Sequence, residues 1–211
     1  TNWGVGDIMY ADLDGDGKIS NGTNKLGDTG DYRIIGNSTP RFKYGITLDA
    51  AWKGFDFSIF MQGIGKRDLW LDGCYFWGAN GQGNEWQSTG FAEHWDFFRP
   101  EGDPLGANLN SYYPRVNFSG DRNTKVQTRY LQNGAYLRLK NVQLGYTLPR
   151  VWTEKAGISS VRVYVSGDNL ATITSLSKIF DPEATGSLAG TGSGKLYPLQ
   201  RVISVGVNVN F

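Results

Sequence analysis

The sequence has 211 residues, and its 21 Lys and Arg against 20 Asp and Glu give a formal net charge of +1. This balance argues against a nucleic-acid-binding protein, which normally carries a basic excess on one face, and against a polybasic membrane anchor. Glycine is abundant, at 29 residues, while only seven prolines are present. Together with many aromatic residues, this composition favours β-structure with many turns over a helical bundle.

Cysteine and histidine each occur once, which limits the possible chemistry. Cys74 alone cannot form an intrachain disulfide or a multi-cysteine metal cluster. His94 is the single candidate for histidine-based catalysis. The sequence contains no run of 18 apolar residues, so it predicts no transmembrane helix. The strands of a transmembrane β-barrel contain no such run either, because their apolar and polar residues alternate. The start at Thr1, without Met or a signal peptide, predicts a processed product or a fragment.

Apolar and polar residues alternate along five segments, as in strands whose two faces differ. The Lys53-Gly54 dipeptide separates the first two and predicts a β-hairpin. In the third segment, Tyr136, Val142, Leu144 and Tyr146 are predicted on one face, which also carries Arg138 and Lys140. The five segments are 42–52, 55–62, 136–147, 160–169 and 201–211.

The connections between these segments alternate in length. Those at 53–54 and 148–159 are short, and those at 65–135 and 170–200 are long. Short turns at one end and long loops at the other are typical of transmembrane β-barrels. Aromatic residues at strand ends also favour a barrel. An antiparallel β-sandwich with decorated loops would show the same alternation, and it stays open as the alternative fold.

Several motifs resemble the C-terminal end of the SusC-like TonB-dependent transporters of the outer membrane. The similarity spans nearly all of the chain and is weakest in 65–130. The motifs are GDIMYADLDGDGKI (6–19), DYRIIGNSTPRFKYGITLDAAWKGFDFSIFMQG (31–63), YLRLKNVQLGYTLP (136–149), VRVYVSGDNL (161–170), FDPE (180–183) and YPLQRVISVGVNVNF (197–211).

The resemblance implies an all-β fold: the C-terminal strands of a large antiparallel transmembrane β-barrel with long extracellular loops. Five strands cannot close such a barrel alone. The segments are then an extracellular loop (1–40), a barrel hairpin (41–64), a long aromatic-rich extracellular loop (65–135) and the last three strands with their loop at 170–200 (136–211).

The function that the resemblance implies is import, not catalysis. Members of the family take up oligosaccharides or peptides across the cell outer membrane with energy passed through TonB, and a SusD-like surface lipoprotein covers them. The residues predicted to face lipid are Tyr44, Ile46, Leu48, Phe57 and Ile59. Those predicted to face the lumen are Arg41, Lys43, Thr47, Asp49, Asp56, Ser58 and Gln62. The alternatives are a soluble calcium-containing glycan-binding β-sandwich and, less favoured for want of a carboxylate pair, a secreted glycosidase fragment.

An Asp-rich segment matches the first positions of a calcium loop. Asp12, Asp14 and Asp16 occupy positions 1, 3 and 5, Gly17 permits the sharp turn, and the Lys18 carbonyl would be the next ligand. Position 12 holds Thr23 instead of the expected Glu. The resemblance offers Asp31, or alternatively Asp28, to close the site around a structural Ca²⁺. The alternative is an Asp/Gly turn without an ion.

Three other features carry weaker functional hypotheses. Trp70, Trp77, Trp86 and Trp95 could contact substrate or a partner, although a small core for the long loop is the favoured explanation. Glu93, His94 and Asp96 lack an accompanying nucleophile motif, so catalysis is not favoured. The Gly-rich stretch 186–195 is predicted to be a mobile extracellular loop.

The terminal Phe211 lies at the apolar phase of the last strand. The resemblance implies that it is a barrel assembly signal, whereas a plain edge strand would use it only for packing.

Overall fold

The computed structural model describes residues 3–81, 90–185 and 197–211. These residues form two compact units. The loop unit contains described residues of 1–36 and 70–131, and the sheet unit contains those of 37–69, 132–185 and 196–211. No helix in the described ranges is long and apolar enough to cross a membrane.

The sheet unit is built on an antiparallel sheet of five strands in the order β1-β2-β5-β6-β7. A second, two-stranded sheet pairs β3 with β4. The strands are β1 (Arg41–Trp52), β2 (Phe55–Lys66), β3 (Asp68–Leu69), β4 (Gln132–Asn133), β5 (Tyr136–Thr147), β6 (Ser160–Thr174) and β7 (Val202–Asn210). Helical structure is short: α1 (Cys74–Trp77), α2 (Arg150–Thr153) and 3₁₀ turns at Ala92–Trp95 and Glu154–Ala156.

All five predicted strands are confirmed. The prediction ended the fourth strand at residue 169, whereas β6 continues to Thr174. It missed β3 and β4, because two residues are too few to show alternation. Within the described residues the five-stranded sheet stays open, with β1 and β7 at its edges.

The predicted hairpin between β1 and β2 is present. Lys53 and Gly54 both have positive φ, at 47° and 88°, as a two-residue type I′ turn requires. This turn matches the right-handed twist of the strands that it joins. The Lys53 Nζ lies 4.9 Å from the centre of the Trp52 ring.

The five strands are antiparallel and adjacent in the order in which they follow along the chain. Successive connections between them therefore lie at alternate ends of the sheet. The β1–β2 turn and the β5–β6 connection lie at one end, and the two long connections leave from the other. The predicted asymmetry of short turns and long loops is therefore confirmed.

The register places most apolar residues of the five strands on one face, while Phe60 and Tyr164 lie on the other. Leu48 pairs with Ile59, and Ile59 pairs with Val142. Leu144 pairs with Val165, which pairs with Val205. Directly opposed residues point to the same face, so these side chains form one continuous apolar surface. The surface is exposed: Leu48 keeps 54% and Val205 73% of its accessible area.

A β-bulge places Tyr136 and Arg138 on the face opposite to the predicted one. Consecutive residues Met61 and Phe60 of β2 pair with Leu139 and Asn141 of β5, so Lys140 is an extra residue against β2. Because side chains alternate with period two, one extra residue exchanges the faces on either side of it. Arg138, opposite Gln62 and Thr172, consequently lies on the polar face, and so does Tyr136. Leu139 takes the apolar face instead.

An ion pair crosses the polar face from β2 to β6 over the intervening strand. The Arg162 guanidinium hydrogen-bonds both carboxylate oxygens of Asp56 and donates to the Gln143 Oε1 at 3.1 Å. Gly145 of β5 leaves the space for it. A Cβ at Gly145 would lie 2.5 Å from the Asp56 Oδ1 and 2.6 Å from the Arg162 Nη2.

The crossing ion pair predicts that a methyl group at position 145 is not tolerated. We expect Gly145→Ala to destabilise the sheet by about 1–3 kcal/mol, the usual cost of overpacking. The same substitution in an Arg162→Ala background should cost less, because two of the nearest contacts come from Arg162. Thermal unfolding of the purified protein in detergent measures both. Equal costs in the two backgrounds would contradict this account.

Candidate functional site

The Asp-rich segment of the loop unit forms a tight turn through side-chain to backbone hydrogen bonds. The Asp12 carboxylate accepts from the amides of Gly15 (2.6 Å) and Gly17 (2.8 Å). Asp14 accepts from the amide of Asp16 at 3.1 Å. Gly15 and Gly17 have φ of 81° and 77°, a conformation that glycine adopts without steric cost.

Asp31 closes this turn from a distance of some 18 residues in the chain. Its oxygens accept from the amides of Leu13 (2.6 Å) and Ser20 (2.8 Å). Asp12, Asp14 and Asp31 each offer one carboxylate oxygen, and these oxygens lie within 4.8 Å of one another. Such a set of hard oxygen donors has the chemistry that Ca²⁺ prefers.

The other predicted ligands take different positions. The Asp16 Oδ1 accepts from the Lys18 amide at 2.7 Å, and Asp16 is not part of the converging group. Asp28, the alternative closing residue, accepts instead from the amide and hydroxyl of Thr23, at 3.0 and 2.6 Å.

The pKa values of the converging group reflect its crowding. The Asp16 amide lowers the pKa of Asp14, but desolvation and the charges of Asp16, Asp31 and Asp12 outweigh it, so the pKa lies above its ordinary value. Hydrogen bonds from the Leu13 and Ser20 amides lower the pKa of Asp31. A carboxylate with a raised pKa gains from a nearby cation, which would relieve the repulsion.

A second carboxylate, Asp7, holds the loop unit together. It accepts from the Arg115 Nε (2.8 Å) and Nη2 (2.6 Å), the Asn123 Nδ2 (2.9 Å) and the Gly4 amide (2.9 Å). Arg122 forms an ion pair with it at 3.3 Å. Burial alone would raise the pKa of Asp7, but these hydrogen bonds and the Arg115 charge lower it to about 2.

The aromatic residues of the loop unit form its core. Trp77 is 2% exposed, and its ring centre lies 4.8 Å from that of Tyr130 and 5.2 Å from that of Phe76. The Trp77 Nε1 donates to the Leu71 carbonyl at 3.0 Å. The favoured explanation, a small core for the long loop, thus holds for Trp77, which has no surface to offer a partner.

The remaining predicted tryptophans differ in position. Trp70 is partly exposed and lies 5.8 Å from the Trp77 ring. Trp95 is 60% exposed and borders a mainly apolar cavity of about 300 Å³, which His94 and Tyr113 also line. Trp86 and the stretch 186–195 lie outside the described residues. Trp95 is therefore the described tryptophan of this set best placed to contact a ligand.

His94 has a structural position. Its Nδ1 accepts from the Phe91 amide at 3.1 Å, so its Nε2 carries the proton and donates to the Phe76 carbonyl at 3.1 Å. Asp96 accepts from Asn108 and from the Tyr112 amide. Because both ring nitrogens of His94 are engaged, its arrangement does not resemble a general acid–base site.

Sequence reasoning missed two groups of charged residues. Asp7 lies 108 positions from Arg115, and Arg138 lies 43 positions from its partner Asp181. No spacing rule joins residues so distant. The one available indication for the second group was the FDPE motif, which contains Asp181.

Comparisons with known proteins agree on one family. The chain is 33% identical over 216 residues to the TonB-dependent receptor P3 of Formosa agariphila, and 30% identical over 217 residues to its TonB-dependent receptor P26. Each alignment covers 98% of this chain and 19–20% of the relative. The chain thus spans about a fifth of the length of these relatives. No protein-family model matches it.

Solved structures give the same result. The chain is similar to the RagAB peptide importer in its open-open state, with a TM-score of 0.63 and 27% identity. A further structure of the RagAB peptide transporter gives 0.64 at the same identity. Each match covers 85% of this chain and 18% of the solved chain.

The Asp7 cluster predicts an acid-sensitive loop unit. Since the pKa of Asp7 is lowered from 3.8 to about 2, its stabilisation is complete above pH 3.8 and is lost as the pH falls through about 2. We expect Asp7→Asn to destabilise the unit by about 3 kcal/mol and to remove this pH dependence. Hydrogen exchange of residues 115–123 measures both. Equal protection in the variant and the parent would contradict the role assigned to Asp7.

Proposed function

The chain belongs to the TonB-dependent receptor family, and on that premise we propose that it supplies five adjacent wall strands of an outer-membrane importer's barrel. The observation that carries this proposal is the continuous apolar face, in phase over all five strands and exposed. An apolar outer band with a polar interior is the arrangement by which a β-barrel meets lipid.

The two faces of the sheet then have distinct surroundings. Tyr44, Ile46, Leu48, Phe57 and Ile59 share the apolar face, which we assign to lipid. Arg41, Lys43, Thr47, Asp49, Asp56, Ser58 and Gln62 share the opposite face, which we assign to the lumen. The Phe55–Tyr146 pair, with ring centres 4.5 Å apart, lies at the end with short turns, where an interfacial aromatic girdle belongs.

A soluble glycan-binding β-sandwich is the weaker alternative. A sandwich buries the apolar face of one sheet against a second sheet. In the described part of the chain, the only other sheet is the two-stranded β3–β4 pair, and the apolar face remains exposed.

We extend this proposal to the substrate and the partners of the whole importer. We assign it a peptide or oligosaccharide substrate, and the RagAB peptide importer makes peptides the first to test. TonB would supply the energy, and a SusD-like lipoprotein would cover the extracellular side. Trp95 is the residue proposed to contact substrate or this partner. We assign the chain no catalytic role.

We also propose a structural Ca²⁺ at Asp12, Asp14 and Asp31. The convergence of their oxygens within 4.8 Å supports this site. Asp16 and the Lys18 carbonyl remain proposed further ligands. The ion would fix an extracellular loop by neutralising three carboxylates that otherwise repel one another.

Phe211 remains the proposed assembly signal. It directly follows β7 and continues the phase of Val205, Val207 and Val209 on the apolar face. This position at the end of an apolar strand face supports the proposal.

The lipid assignment predicts opposite responses at neighbouring positions. Leu48→Arg should destabilise the assembled protein by about 2–4 kcal/mol near the bilayer midplane and lower its amount in the outer membrane. Thr47→Arg, the matched control on the other face, should assemble normally. Quantitative outer-membrane fractionation distinguishes them. Normal assembly of Leu48→Arg would refute the lipid-facing position.

The transport assignment is tested in cells that express the intact protein. Labelled peptides should accumulate only when TonB and the SusD-like partner are present. Leu48→Arg should reduce uptake in proportion to the amount of protein that fails to assemble. Uptake of oligosaccharides but not peptides would keep the importer and change its substrate. Uptake of neither would contradict the transport proposal.

The calcium proposal predicts that Asp14→Asn loosens residues 11–31 and leaves the sheet intact. Hydrogen exchange with and without Ca²⁺ measures this, and Asp28→Asn is the matched control outside the converging group. Ca²⁺ should protect the segment in the parent and the control but not in Asp14→Asn. Protection should weaken as acid protonates Asp14, whose pKa is raised. Equal exchange with and without Ca²⁺ in the parent would exclude the site.

A further inference from the structure

The connection that follows β6 turns back over the polar face of the sheet. We call its residues 175–185 the strap. Leu176, Phe180 and Thr185 of the strap are buried, and so is Tyr136 of β5. These four side chains are therefore shielded from solvent within the sheet unit.

Arg138 attaches the strap to the sheet. The bulge at Lys140 turns Arg138 onto the polar face, where its side chain is only 4% exposed. Its Nε donates to the Thr172 Oγ1 of the next strand at 2.8 Å, and its Nη2 donates to the Asp181 Oδ1 at 2.7 Å. A planar guanidinium held from two sides has little freedom to move.

Asp181 joins both arms of the β6–β7 connection. Its Oδ1 also accepts from the Glu183 amide at 2.9 Å, and its Oδ2 accepts from the Leu199 amide at 3.2 Å. One carboxylate therefore connects β5, the strap and the segment that leads into β7.

Glu183 completes a neutral cluster of two cations and two anions. Its Oε2 accepts from the Lys140 Nζ at 3.0 Å, and its Oε1 lies 3.5 Å from the Arg138 Nη1. These last two atoms are buried and form no hydrogen bond within the described part of the chain. Moving the strap away would break three ion pairs at once, those that Arg138 and Lys140 form with Asp181 and Glu183. These linked contacts favour the closed arrangement, and we therefore treat the strap as a fixed element.

We propose that the strap is a fixed constriction on the lumen side of the barrel wall, locked by the Arg138–Asp181 pair, which narrows the passage for substrate. This inference rests on the proposed function, because that function identifies the polar face as the lumen. It changes the role expected for the first part of the 170–200 loop, which becomes wall lining instead of part of an extracellular loop. Lys140 and Glu183, both partly exposed, would be its charged surface toward the passage.

Cysteine labelling in intact cells tests the strap. The intact transporter carries Cys74→Ser with Ala184→Cys, or with Leu26→Cys as the fully exposed reference. We expect a polymer-linked maleimide to label position 184 about tenfold more slowly than position 26, since cysteine reactivity follows access. In an Arg138→Met background the rate at 184 should approach that at 26. Arg162→Met, a matched loss of charge on the same face that does not touch the strap, should leave the slow rate unchanged.

The outcomes separate this inference from the proposed function. Rapid labelling at 184 in the parent, or slow labelling that persists in Arg138→Met, would overturn the fixed strap while the protein still assembles. If Arg138→Met does not assemble, Asp181→Asn removes the same ion pair from outside the strands and decides the question. Failure of the parent itself to reach the outer membrane would instead contradict the proposed function.

Discussion

Every strand of the five-stranded sheet divides its side chains between two faces, and the rest of the sheet unit depends on keeping that division in phase. Four strand pairs hold one common register, so Leu48, Ile59, Val142, Val165 and Ile203 belong to the same side. A slip of one residue in any pair would exchange the faces beyond it. The backbone hydrogen bonds of the ladder thus do more than join strands, because they decide which residues share the apolar face and which share the polar face.

The one interruption of this phase is also where the sheet gains its most elaborate polar contacts. The hairpin, the strand positions and the ends at which the connections lie follow from local sequence, since alternation and turn residues are local properties. The bulge does not follow, because Lys140 is neither a glycine nor a proline and nothing in YLRLKN marks an extra residue. Tyr136 and Arg138 were consequently predicted on the wrong face. The residues that Arg138 and Lys140 bind at the bulge, Asp181 and Glu183, lie some 40 residues further along the chain.

The acidic turn shows the same division between local and distant causes. Asp12 and Asp14 converge as their spacing predicts, and Asp31 joins them as the family resemblance implied. The Asp16 carboxylate instead accepts a hydrogen bond from the Lys18 amide. The spacing of the aspartates alone does not predict whether Asp16 joins the other carboxylates or binds this amide. The Asp7 cluster had no sequence indication, because its partners lie more than 100 residues away and meet only in the folded loop unit. Trp77 fills a core, since a loop of this length needs apolar burial of its own.

The two-residue strands β3 and β4 have a consequence for how this chain can fold and change. Leu69 pairs with Gln132, so the two residues that flank the 70–131 segment are held one strand spacing apart. Pairing β2 with β5 requires closing a loop of more than 60 residues, and the entropic cost of closing a loop grows with the logarithm of its length. The contacts of 70–131 with 1–36, in which Asp7 binds Arg115 and Asn123, offset part of that cost. Because the segment leaves and re-enters the sheet unit at a single strand pair, its length and sequence can change without altering the pairing of the strands on either side, as long as its contacts with 1–36 are kept.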